Sequence, residues 1–164
     1  MNILEFPTYL ATRRNHALEH ATIHMLARKY ADKNIAGHSN PTGFYLFGEL
    51  STEDIRSAID EAMRRLRAGE RELAIHPGCG TNLATSMVLP MTLASVPFQG
   101  TRSNSNRRFL MLPVALTFAA LGYVLSKPLG PWLQRNVTTE ADLGNLQVKE
   151  IVPVRKGVHR IITK

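Results

Sequence analysis

The sequence predicts an α+β fold with a membrane helical hairpin set into it, and three observations carry that expectation. A 20-residue stretch, STEDIRSAIDEAMRRLRAGE, repeats apolar residues at helical spacing and is flanked by short apolar runs that suit strands. Two charge-free stretches, Leu83–Phe98 and Phe109–Ser126, follow each other in mid-chain. The C-terminal residues then read as two strands around a Lys156-Gly157 turn.

Taken in order, Thr8 to about Lys33 lacks Pro and Gly and is rich in Ala, Leu, Met and charged residues, so it reads as one long N-terminal helix ended by Gly37 and Pro41. GFYLFGEL, Gly43–Leu50, is short, aromatic and bounded by turn residues, which favours a strand. In the next helix Ile55, Ala58, Ile59, Ala62, Met63 and Leu66 define one apolar face. Ser51 or Thr52 caps its start, Glu53 and Asp54 sit at the positive end of the dipole and Arg64, Arg65 and Arg67 at the negative end. ELAIH, Glu72–His76, reads as a second strand, giving a small parallel β-α-β unit with a right-handed crossover.

The charge-free stretches are 16 and 18 residues long, each short for a span, but as a pair they suggest a transmembrane hairpin. The alternatives are two core helices of a soluble protein, or a re-entrant hairpin in one leaflet. Pro90, Pro97 and Pro113 kink these helices. After Trp132, a candidate interfacial anchor, a polar link from Asn136 to Asn145 leads to strands Leu146–Val154 and Val158–Thr163, a hairpin that joins the sheet. The expected organisation is residues 1–82 as an α/β part, 83–126 as the membrane hairpin, and 127–164 folding back onto the first part.

The formal net charge is +7, and its distribution favours a lipid bilayer over nucleic acid. Met1–Asn82 is balanced, with ten basic and ten acidic residues. The excess lies in Arg102, Arg107 and Arg108 and in Lys127–Lys164, beside the apolar stretches, where membrane proteins keep cations. No aromatic and basic interleaving marks a nucleic-acid surface. Cys79 is the only cysteine, so there is no intrachain disulfide and a reducing compartment fits. The order of the first 14 residues, apolar before basic, is the reverse of an export signal.

The chemistry concentrates in NHALEHATIH, Asn15–His24. His16, Glu19 and His20 form His-x-x-Glu-His. On a helix the two histidines share one face, so both imidazoles reach one zinc ion while Glu19 flanks the water that such an ion binds. His24 continues the column but lies eight residues from His16, roughly 12 Å along the axis, too far for one ion to hold both. IHPGCGTN, Ile75–Asn82, is the best source of a third ligand: His76 ends an expected strand, and Cys79 follows at His-x-x-Cys spacing. The plainer reading is a buried helix whose histidines bond to neighbouring carbonyls, and a strand-to-helix turn capped by Thr81 or Asn82 around a buried cysteine.

The five-residue motif resembles that of the inverzincins, whose signature runs in this inverted order. That resemblance implies His16 and His20 as zinc ligands and Glu19 as general base. Over most of the chain, RRNHALEHATIHML, PTGFYLFGELSTEDI, RLRAGERELAIHPGCGTNL and LQRNVTTEADLG together resemble a domain-of-unknown-function family of bacterial membrane proteins from cyanobacteria and Chloroflexi. This implies a membrane protein with paired helices and transfers no reaction.

The expected function is a membrane-embedded zinc hydrolase, a peptidase at the surface of the bacterial cytoplasmic membrane. Glu19 is its base and His16, His20 and His76 or Cys79 are its ligands. The alternative is a non-catalytic anchor or assembly subunit of a larger complex, its histidines structural or holding a closed metal or pigment site. The hairpin places both termini on one side, taken as cytoplasmic, although the arginines of the connection argue for the opposite orientation.

Overall fold

The computed structural model describes residues 3–99 and 105–164, so Arg102 and most of the connection between the charge-free stretches lie outside the described residues. The chain divides into two compact units, one made of Met1–His76 and Gln134–Lys164, the other of Pro77–Leu133.

In the first unit, helix α1 (Pro7–Lys29) opens with a proline at its start and closes on Arg28 and Lys29, both favourable for the helix ends. Strands β1 (Ala36–Asn40) and β2 (Gly43–Phe47) follow, then helix α2 (Thr52–Arg67), and at the C-terminus β3 (Val148–Arg155) and β4 (Val158–Thr163). The four strands form an antiparallel sheet in the order β1-β2-β4-β3. Alternation in β2 sends Phe44 and Leu46 into a core with Leu18 and Leu26 of α1, Ile55 and Ile59 of α2, Leu143 and Ile161. Asn15 fastens α1 to the sheet: its Nδ2 donates to Asn40 O at 2.9 Å and its Oδ1 accepts from Thr163 Oγ1 at 2.8 Å. Gly43 has φ +134°, and a β-carbon there would collide with the Ile161 carbonyl of the paired strand, so only glycine fits.

The α+β class, the long first helix, α2 and the C-terminal hairpin joined to the sheet through β4 all agree with the sequence reading. The parallel β-α-β unit does not. ELAIH forms no strand: Arg71–Ala74 is a turn of 3₁₀ helix. The carbonyls of Ala74 and Ile75, which a strand would offer to a neighbouring strand, are taken by imidazoles of α1. The second early strand is instead β1, whose sequence AGHSN is polar and carries no strand signal. Helix α1 also stops at Lys29 rather than Lys33. Lys29 Nζ and Tyr30 Oη both bond to the Asp54 carboxylate at the start of α2, turning the chain there. Lys29, Ser51 and Tyr30 hold the Asp54 carboxyl well below the usual carboxylate range. Ser51 is the cap of α2, accepting from Asp54 N at 3.1 Å.

The second unit contains α3 (Gly80–Ser95), α4 (Ser105–Leu110) and α5 (Leu112–Leu133). The cap of α3 is Cys79, whose Sγ accepts from Thr81 N at 3.4 Å, in place of Thr81 or Asn82. Helices α3 and α5 pack closely: a β-carbon on Gly122 would lie 2.7 Å from Pro90 Cα. Among the described residues one helical run, Leu112–Thr138, is long and apolar enough to cross a membrane; α3, with 16 residues, is shorter than that.

His159 on β4 is buried, with Nε2 3.2 Å from Thr52 Oγ1, and burial holds its pKa below the ordinary 6.5. The unfolded chain therefore takes up this proton first as the pH falls, so His159 subtracts from stability below pH 6.5 and has no such effect above it. His159→Asn is expected to shallow the fall in melting temperature between about pH 7 and 5. An unchanged slope would show that His159 is not among the groups responsible.

Candidate metal centre

One face of α1 carries Tyr9, Arg13, His16, His20 and His24 at helical spacing. That face reads the two segments next to the points where the chain leaves the first unit, after His76, and re-enters it, at Gln134. Arg13 Nη2 donates to Thr139 O at 2.9 Å and pairs with Glu140 at 3.4 Å. His16 Nδ1 lies 2.9 Å from Thr138 O, His20 Nδ1 2.7 Å from Ala74 O, and His24 Nε2 2.8 Å from Ile75 O.

A carbonyl oxygen only accepts, so each of these ring nitrogens carries the hydrogen. In the neutral rings the lone pair then belongs to Nε2 of His16 and His20 and to Nδ1 of His24. This division is the one that metal-binding histidines adopt, one nitrogen fixed by a backbone carbonyl and the other left as donor to the ion. It also satisfies the plainer reading, in which the carbonyl bonds are the whole purpose of the rings.

The four rings touch in sequence. His16 and His20 have centroids 4.3 Å apart, His20 and His76 5.7 Å, and His76 and His24 5.0 Å. His76 reaches the cluster from the irregular chain after the 3₁₀ turn, where its backbone N–H donates to Gln134 Oε1 at 2.9 Å. Burial, and then the rings of His20 and His24, push the His76 pKa down to about 4, which keeps it neutral at physiological pH. Of the sequence candidates, His16, His20 and His76 thus converge within the first unit. Cys79 belongs to the second unit, where it caps α3.

Glu19 is buried on the flank of α1 that meets β1. Its carboxylate accepts from Ser39 Oγ and lies so close to Gly37 that a side chain there would displace it. Ser39 and Gln134, which position Glu19 and His76, were not foreseen from the sequence. Neither sits in a recognisable motif, and β1 itself carries no strand signal.

The chain matches, over residues 11–151, the family described as a domain of unknown function, DUF6391. It is also 34% identical over 151 residues to an uncharacterised protein of Picosynechococcus sp. (strain PCC 7002), an alignment that covers 87% of this chain and 72% of that relative. The protein belongs to the DUF6391 family, in keeping with the cyanobacterial family that its sequence phrases resemble. No solved structure matches it.

The seat of Glu19 is open to a direct test. Gly37→Ala is expected to push the carboxylate off Ser39 and to lower unfolding stability by about 1–3 kcal/mol in a denaturant titration. A change below about 0.5 kcal/mol would mean that the buried carboxylate is not held as described.

Proposed function

We propose that the protein is a membrane-associated metal hydrolase of the zinc class, acting on a peptide or similar acyl substrate at the membrane surface. The observation that carries this reading is the paired tautomer of His16 and His20, each with Nδ1–H on a backbone carbonyl and the rings 4.3 Å apart. Two imidazoles so fixed lose little freedom on binding an ion. His16 and His20 would hold the zinc, and the third donor would come from the His76-x-x-Cys79 turn. Either His76, whose ring lies beside His20, or Cys79 of the same turn would be that donor.

When bound, zinc lowers the pKa of a coordinated water to about 7. Glu19, whose carboxylate accepts from Ser39 Oγ, would be the base for such a water. One feature favours a second reading. Glu19 is engaged with Ser39 and seated against Gly37, as a purely structural carboxylate would be. In that reading the histidines or a closed metal site are structural, and the protein is a non-catalytic anchor or assembly subunit.

Membrane association is supported by α5 and by the composition of residues 77–133, which include no Asp or Glu. Leu83, Val88, Met91, Leu116 and Val124 are exposed. The hydroxyls of Thr85, Thr92 and Thr117 bond to carbonyls of their own helices, as a hydrocarbon surrounding demands. We place the protein in the bacterial cytoplasmic membrane with its termini in the cytoplasm.

Metal analysis of the purified protein tests the site. Zinc is expected at one ion per chain, weakened at least about tenfold in His16→Ala and His20→Ala. It should be retained in Glu19→Gln, with hydrolysis of a peptide library lost in all three. Comparing His76→Ala with Cys79→Ser identifies the third donor. Metal-free wild-type protein would remove the metal reading. Zinc bound without any hydrolysis, in a protein that purifies with other subunits at fixed stoichiometry, would establish the anchor reading instead.

A further inference from the structure

Within the second unit a groove of about 440 Å³ opens between the first turns of α3 and the last turns of α5. Its walls are largely apolar, with Pro77, Leu83, Tyr123 and Pro131 among them, and among the described residues its one charged lining residue is Lys127. The ammonium of Lys127 lies 5.1 Å from the centre of the Tyr123 ring, which keeps it at the groove.

The position of Lys127 along the chain is informative. Phe109–Ser126 carries no charge, with Arg108 just before it and Lys127 just after. Leu112–Ser126, the charge-free part of α5, rises about 22 Å as helix, most of the thickness of a hydrocarbon core. Lys127, the first charge in α5, therefore lies toward the headgroup end of this stretch, within reach of it along its own side chain. No Asp or Glu in residues 77–133 competes for the ammonium or repels an anion.

We propose that this groove binds one anionic phospholipid, with Lys127 as counter-ion of the phosphate and the walls at Leu83 and Tyr123 against the start of an acyl chain. A free inorganic anion suits the groove less well. One exposed lysine in water gains little from an ion pair, whereas an amphiphile also buries apolar surface on the walls. The hydroxyls of Ser86 and Ser126 donate to Leu83 O and Tyr123 O, at 2.9 and 2.7 Å, and Asn82 Nδ2 donates to Pro77 O, so Lys127 brings the charge to the groove.

The inference rests on the membrane reading and is tested separately from it. Co-sedimentation of the full chain with phosphatidylcholine vesicles tests membrane association alone; failure there defeats both. Native mass spectrometry from a non-ionic detergent, with equal phosphatidylglycerol and phosphatidylcholine, tests the groove. Wild-type protein should retain one phosphatidylglycerol in preference. Lys127→Gln should reduce that preference roughly fivefold, while Arg108→Gln, which removes a cation of the same unit outside the groove, should keep it. Insertion into vesicles without a phosphatidylglycerol preference would overturn the groove proposal and leave the membrane reading standing. An equal loss in both variants would overturn it in favour of general surface charge. Displacement of the lipid by millimolar inorganic phosphate would overturn it in favour of a free-anion site.

Discussion

The first unit depends on one set of bonds, those from ring N–H groups of α1 to backbone carbonyls of Thr138, Ala74 and Ile75. The segments that supply these carbonyls do not pair as strands: Arg71–Ala74 is a 3₁₀ turn and Gln134–Thr138 a π-helical one. Their carbonyls need donors, and a helix face with imidazoles at four-residue intervals provides them. A buried carbonyl left without a partner costs about 1–3 kcal/mol, so the three bonds are a substantial part of what ties these segments to α1.

The same bonds fix which nitrogen of each ring remains basic. Each bond to a carbonyl braces the chain and at the same time sets the tautomer of its ring. A fourth ring, His76, lies within 5.7 Å of His20 and 5.0 Å of His24. Close approach of four imidazoles is unfavourable if they are charged, and burial of His76 resolves this by keeping it neutral. A neutral imidazole is also the form that binds metal. Glu19 stands apart from this arrangement, on the flank facing β1, and its bond to Ser39 is what leaves its role divided between base and structural carboxylate.

Much of the architecture was legible because it rests on periodicity. The apolar face of α2, its Ser51 cap and the Lys156-Gly157 hairpin are local signals that the tertiary structure leaves intact. The errors arose where a tertiary bond overrode local preference. The ELAIH run reads locally as a strand, but imidazole donors captured its carbonyls. The α1 pattern continues past Lys29, but Asp54 captured Lys29 and Tyr30. Strand β1 is polar and forms because β2 and the Glu19–Ser39 contact hold it. The His16–His20 pair was readable from spacing alone. The approach of His76 was foreseen as the end of a strand and comes about through a 3₁₀ turn and the Gln134 side chain.

The most direct measurement is X-ray absorption at the zinc edge on protein purified without added metal. The account predicts a four-coordinate spectrum with imidazole outer-shell scattering from at least two histidines and zinc–nitrogen distances of about 2.0–2.1 Å. Absence of zinc from fully folded protein, or a spectrum of oxygen ligands only, would contradict it and leave the histidine column as a brace.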